Sequence, residues 1–238
     1  MTILLTIPGI MSDARTWTAV AQDIARPGAT VFNADTSRDT TIEAMAERAL
    51  AESHGDLVVL AHSMGGRVAL EMGRQAPERV RAMVLANSNV EGLADQELAH
   101  REMRIADANA DMAAYARGWV PKVISAASRQ KPELVAAILK MVEDCPPEVH
   151  ERQNRALLAR PDATRFLPQL RFPVLLVTGT EDHLSTSASN HKIAKHLREA
   201  ELRVIDDAGH LLPFERPEEL SATIRDWMRR NNVALGER

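Results

Sequence analysis

Six short apolar runs recur along the chain, and none of them alternates apolar with polar residues. They are "TILLTI" (2–7), "ATVFN" (29–33), "DLVVLA" (56–61), "RAMVLAN" (81–87), "PVLLVTG" (173–179) and "ELRVID" (201–206). Runs of this length bounded by Gly, Pro or Asp read as strands. Strands without a polar face are covered on both sides, which is the condition of a parallel sheet. Helical patterns near 14–25, 41–53, 64–75, 187–198 and 217–230 supply the cover. Strand alternating with helix predicts an α/β fold, a mostly parallel sheet with helices on both faces and right-handed crossovers.

The rhythm stops between Asn89 and Leu170, where no strand is evident. Leu98, Ile105, Met112 and Trp119 recur every seven residues, as on one helix face, and Leu134, Ile138, Met141 and Val142 form a second stripe. "VPK", "KPE", "CPPE" and "RPD" divide the region into several short helices. The expected organisation is a core of residues 1–89 and 171–238 with a helical insertion, 90–170. That insertion should lie over the carboxyl ends of the strands, where open α/β sheets place their sites. The ending "NNVALGER" (231–238) reads as a loose tail.

Composition narrows the function classes. A net charge of −4 gives no basic footprint for nucleic acid, and aromatic residues are only 3% of the chain, too few for base-stacking platforms. Cys145 is the only cysteine, which excludes an internal disulfide and a four-cysteine metal site. The opening "MTILLTIPGI" lacks a basic segment and a cleavage site, and no stretch nears the roughly 20 apolar residues that span a bilayer. The expectation is a soluble, cytoplasmic protein with a small-molecule partner, binding neither nucleic acid nor membrane.

Chemistry concentrates at three strand ends. In "LAHSMGGRVAL" a strand runs into Ser63 and a helix begins near Met64. A sharp strand-to-helix turn would raise the Ser hydroxyl above the sheet, and Gly65 and Gly66 would let strand and helix approach. Ala61 stands where such an elbow often has Gly. The plainer alternative is that Ser63 only N-caps the helix. A nucleophilic Ser needs a base, and the base needs an orienting carboxylate. "VTGTEDHLS" offers Asp182 after the turn-forming Gly179, with Glu181 as its neighbour and rival. "DDAGHLLPFERPEEL" offers His210 in a loop after the next strand, with Asp206 and Asp207 reading as strand terminators. The backbone N–H groups of Ile10, after Pro8-Gly9, and of Met64 would complete an oxyanion hole, although Pro-Gly also suits an ordinary turn. Arg67 lies one helical turn beyond Ser63 and could face substrate, a paired acid or solvent. Met11, Trp17, Met64, Met103, Tyr115, Trp119, Phe166 and Phe214 could line an apolar pocket or serve as core; Trp17, Tyr115 and Trp119, with Arg67, are the candidate substrate contacts. His191 and His196, five apart, fall on different helix faces, and no metal site is expected.

Taken together, "LAHSMGGRVAL", "VTGTEDHLS" and "AGHLLPFERPEEL" resemble the α/β-hydrolase superfamily, in its small, lid-bearing serine esterase form, from Ile3 to about Met228. The resemblance implies Ser63 as nucleophile, His210 as base, Asp182 as its partner and Ile10 and Met64 at the oxyanion hole, with 90–170 as a variable lid (cap) and no cofactor. Glu215 and Pro217 match the family's usual run after the catalytic His. The chain departs from the pattern at Pro8, where a His is usual, at Ala61, at the missing Pro after "DHLS", and at the absence of an opening antiparallel hairpin before the first strand. The elbow "SMGGR" also resembles that of the menaquinone-pathway lyase of this fold. Activities open on the same triad are therefore ester hydrolysis, carbon–carbon hydrolysis or lysis, and cofactor-free perhydrolase or haloperoxidase chemistry. A ligand receptor with a vestigial triad is the non-enzymatic alternative.

Overall fold

A computed structural model describes residues 1–25 and 28–235. Its strands are β1 (Thr2–Ile7), β2 (Val31–Asn33), β3 (Asp56–His62), β4 (Val80–Ala86), β5 (Val174–Gly179) and β6 (Ala200–Ile205). They form one sheet in the order β2-β1-β3-β4-β5-β6, with every neighbouring pair parallel. The sheet is thus parallel throughout. Strand β3 is buried along nearly its whole length, as its unbroken apolar sequence requires.

Two helical layers cover the sheet. α1 (Thr18–Ile24) and α11 (Pro217–Arg230) pack Trp17, Val20, Leu220 and Trp227 against Leu4, Val58 and Val84 on one face. α2 (Ile42–Glu52), α3 (Met64–Gln75) and α9 (Ser187–His196) cover the other, where Met45, Val68 and Ile193 meet Leu5, Val59 and Leu85. Neighbouring strand residues such as Val58 and Val59 therefore feed different cores, the period-2 geometry of a strand expressed in an all-apolar sequence.

Between β4 and β5 the chain forms α4 (Glu97–Ala110), α5 (Met112–Val123), α6 (Ala126–Arg129), α7 (Pro132–Glu143) and α8 (Pro147–Leu158), while α10 (Leu212–Glu215) follows β6. Ala108, Ala116, Val120, Ile138 and Met141 from these inserted helices pack into a third cluster with Met11 and Leu211, which belong to loops after β1 and β6. The insertion thus meets the core at the carboxyl ends of the strands. No helix among the described residues is long and apolar enough to cross a membrane.

The structure corrects four local expectations. The seven-residue stripe from Leu98 to Trp119 spans two helices, because Asp111 turns extended and its side chain accepts from Ala114 N–H to cap α5. "VPK" does not separate helices: Pro121 lies in the last turn of α5, where few further helical bonds remain to be lost. The helix expected over 14–25 begins as a 3-10 turn, Ala14–Thr16, and becomes α-helical only after Trp17. In the tail, Val233 and Leu235 pack on the core beside α11 and the Val233 N–H bonds the Met228 carbonyl at 2.9 Å. The rest of that tail, 236–238, lies outside the described residues.

One close approach seats α3 against the end of β1 and the loop that follows it. A Cβ on Gly65 would stand 2.5 Å from the Pro8 carbonyl oxygen and 2.6 Å from that of Ile7. Gly65→Ala gains helix propensity but forces backbone against backbone, so the variant should lose about 1–3 kcal/mol of unfolding free energy. Urea unfolding measures it; a stabilised variant would show that the contact has slack.

Candidate active site

Strand β3 ends at His62, and Ser63 bridges to α3 with φ 52° and ψ −115°, a left-handed conformation unfavourable for a residue with a Cβ. Ser63 N–H bonds the Ala86 carbonyl at 3.0 Å and its own carbonyl accepts from Gly66 N–H at 3.0 Å, which holds the elbow. The Ser63 hydroxyl makes no capping bond to the helix. It donates instead to His210 Nε2 at 2.8 Å. Ala61 is wholly buried between Ile7 and Leu85, its methyl accommodated.

His210 Nδ1–H lies 3.1 Å from each carboxylate oxygen of Asp182. Asp182 is buried, and its oxygens also accept from Asn87 Nδ2 at 2.8 Å and from the N–H groups of Leu184 and Ser185 at 2.9 Å each. Burial alone would raise its pKa. The electrostatic attraction of the His210 ring and these hydrogen bonds outweigh it and hold the carboxylate well below its usual range. The rivals are engaged elsewhere: Glu181 accepts from Ala126 N–H at 2.8 Å, and Asp206 and Asp207 are exposed at the end of β6. With its Nδ1 proton directed at a carboxylate, His210 presents a basic Nε2 to the hydroxyl.

Several groups that maintain this arrangement were not identified from sequence. Asn87, at φ 54°, gives its amide to both Asp182 and the Gly209 carbonyl. Buried Glu215 accepts from the N–H groups of Gly209 at 3.0 Å, Leu211 at 3.1 Å and Ser125 at 2.7 Å. It therefore ties both sides of His210 to the segment between α5 and α6. His210 N–H itself bonds the Val123 carbonyl at 2.7 Å. His62 Nε2–H donates to the His210 carbonyl at 2.7 Å. Only the Glu215 position had a sequence signal, its place after the His loop; an Asn at the end of β4 and a His before the Ser carry no pattern of their own.

At the amino end of α3, Met64 offers one of the first-turn N–H groups that no helical carbonyl can accept. The Pro8-Gly9-Ile10 loop lies beside it. A Cβ on Gly9 would come 2.8 Å from His62 Nδ1 and 3.3 Å from Ser63 Cβ, so only Gly lets the loop lie this close. The next residue, Met11, gives its N–H to Gln153 Oε1 of α8 at 2.9 Å, which anchors the loop to the insertion.

Ser63 and His210 open into a cavity of about 850 Å³, whose wall also includes Ile10, Met64, Arg67, Tyr115 and Trp119. Arg67 is part-buried and gives one hydrogen bond to the Glu91 carbonyl. Burial, then nearby Arg160, pushes its pKa down to about 9, leaving it charged at neutral pH. Trp17 is not in this wall. Its ring is fully buried under the sheet, with Nε1–H bonded to the Ile7 carbonyl at 3.0 Å, because the 3-10 turn before it directs it into the core. Phe166 is core as well, and Met103 borders a neighbouring groove. No cluster of three or more His, Cys, Asp or Glu suited to a metal occurs among the described residues.

The comparisons agree with this architecture. A model of the alpha/beta hydrolase family matches residues 4–223. A pimeloyl-(acyl-carrier protein) methyl ester esterase of Aromatoleum aromaticum is 30% identical over 217 residues, which cover 81% of this chain and 82% of that protein. The 3-oxoadipate enol-lactonase 1 of Acinetobacter baylyi is 27% identical, over 77% and 70% of the two chains. Among solved structures, a thermophilic esterase from Thermogutta terrifontis superposes with a TM-score of 0.86 at 25% identity, covering 97% of this chain and 90% of its own.

The buried ring beside the elbow has a measurable pH signature. Burial and then the neighbouring His210 lower the His62 pKa from 6.5 to about 3. Between those values the unfolded chain binds a proton that the folded chain does not, so the stability His62 confers is complete above pH 6.5 and falls as the pH drops toward 3. His62→Gln keeps an N–H donor but does not titrate. Its unfolding free energy should therefore fall less steeply between pH 6 and 4, by up to about 1.4 kcal/mol per pH unit, in denaturant titrations. Identical slopes in both proteins would contradict the buried neutral ring.

Proposed function

This chain belongs to the alpha/beta hydrolase family and is a carboxylic ester hydrolase, and we propose that it works through an acyl-enzyme formed on Ser63. The observation that carries the mechanism is the unbroken relay from Ser63 Oγ through His210 to Asp182. His210 Nε2 takes the hydroxyl proton as Oγ attacks the ester carbonyl. Asp182, ionised and hydrogen-bonded by Asn87, Leu184 and Ser185 as well as by His210, stabilises the imidazolium that results. The tetrahedral oxyanion is received by the N–H groups of Met64 and Ile10, each such donor being worth about 3 kcal/mol in comparable sites. His210 then protonates the leaving alcohol, and in the second half accepts a proton from the water that releases the acid. The inserted helices act as the lid that shapes the acyl pocket. No metal or organic cofactor enters any step.

The esterases among the relatives support ester cleavage over the other reactions open to this triad. Arg67 in the cavity wall also suits a carbon–carbon hydrolase acting on an anionic substrate, a reading that product analysis separates from ester cleavage.

Ser63→Ala should reduce kcat for p-nitrophenyl butyrate by a factor of about 10³ or more while leaving the unfolding midpoint unchanged or raised. A serine-directed phosphonate should label the wild-type protein on the peptide bearing Ser63. Undiminished turnover, or a label elsewhere, would remove Ser63 from the mechanism.

A further inference from the structure

The charged side of the catalytic cavity is not balanced. Four arginines line it: Arg67 from α3, Arg101 and Arg104 from α4, and Arg160 after α8. Glu97 serves two of them, bonding Arg101 Nε at 2.7 Å and Arg160 through both of its carboxylate oxygens. Arg160 is further saturated by the carbonyls of Glu91, Gly92 and Leu157. Arg67 holds one carbonyl, with the acids Glu91 and Asp162 nearby. Arg104, half-buried, has no hydrogen-bond or ion-pair partner among the described residues, although Asp107 is a helical turn away.

Beside Arg104 is a second unmet group. His150 of α8 is completely buried, its ring tilted against Tyr115 at 5.1 Å between centroids, and both line the cavity. Its tautomer follows from its neighbours. Arg101 Nη1 donates to Asn154 Oδ1 at 3.0 Å, which fixes the amide and turns Nδ2 toward His150 Nε2 at 2.9 Å. An amide N–H must meet an acceptor, so Nε2 is unprotonated and the ring proton is on Nδ1. That Nδ1–H has no hydrogen-bond partner among the described residues. Burial and the adjacent guanidiniums of Arg104 and Arg101 hold the His150 pKa at about 4, with Glu151 opposing weakly, so the ring is neutral at pH 7. A buried donor left open costs about 1–3 kcal/mol, which an acceptor from outside would recover.

We propose that Arg104 and the Nδ1–H of His150 form a carboxylate subsite in the catalytic cavity, so that the preferred ester carries a second carboxylate remote from the scissile carbonyl. The substrate class is then the half-ester of an aliphatic dicarboxylic acid, an assignment that rests on the esterase reading above. A charged donor and a neutral donor on one side of a carboxylate give two charge-assisted bonds. The other charges around Arg104 do not cancel the site: Glu97 is shared by Arg101 and Arg160, and Glu151 bonds Asn109 and Arg155.

Calorimetric titration of the wild-type protein with succinate, adipate and suberate, each against the diol of the same chain length, tests the subsite without turnover. At least one diacid should bind tenfold or more tightly than its diol, and Arg104→Gln should remove that preference while Arg104→Lys keeps part of it. No diacid preference in the wild type, or the same preference in Arg104→Gln, overturns the subsite. Hydrolysis of monomethyl adipate against methyl hexanoate then joins the subsite to catalysis: a higher kcat/KM for the half-ester, with the advantage lost in Arg104→Gln, is expected. A preference for methyl hexanoate overturns the substrate class. Hydrolysis of neither ester by a protein that binds diacids overturns the esterase reading and leaves the subsite standing.

Discussion

The left-handed backbone of Ser63 is the constraint around which the upper half of this molecule is arranged. A side chain there costs conformational energy, and the surroundings must over-determine it for it to persist. They do so by proximity: Gly65 lies against the Ile7 and Pro8 carbonyls, and Gly9 against the His62 ring. Any larger residue at those points would push β1, its loop and α3 apart. The same closeness brings the loop N–H groups beside the amino end of α3. Strain, glycine placement and the closeness of loop and helix are one requirement seen from three sides.

The second half of the site depends on how buried carboxylates are satisfied. Asp182 and Glu215 are both nearly inaccessible, and neither is neutralised by an arginine or lysine. Asp182 faces the imidazole and an amide as well as backbone N–H groups, and together they give it its low pKa. Among the described residues Glu215 accepts from backbone N–H groups alone, those of Gly209, Leu211 and Ser125. One carboxylate faces the His210 ring, and the other fixes the backbone of the loop that carries it. The difference lies in what each accepts from, since the acids themselves are chemically alike.

Most of the fold could be read from the sequence because its signals are local. A fully buried strand leaves an unbroken apolar run, and each of the six expected strands falls within two residues of its observed place. The Ser, Asp and His were visible because each ends a strand at the same edge. What escaped are features set by contacts distant in sequence. Trp17 is core because of the turn before it, and Asn87 matters only because β4 ends beside Asp182. The unmet donor of His150 exists only through Arg101 and Asn154, residues on two different helices. Proline spacing likewise misplaced a helix boundary at Pro121, since position within a helix decides whether a proline breaks it.

The hydrogen bonds from His210 N–H to Val123 and from Ser125 N–H to Glu215 join the insertion to the segment that carries the His210 ring. A Cβ on Gly209 would meet the Val123 carbonyl oxygen at 2.6 Å, so the two segments are in van der Waals contact as well. The end of α5 is therefore a fastened edge rather than a free one. Displacing the end of α5 would shift the imidazole that meets the Ser63 hydroxyl, so the geometry of the site depends on how the inserted helices are seated.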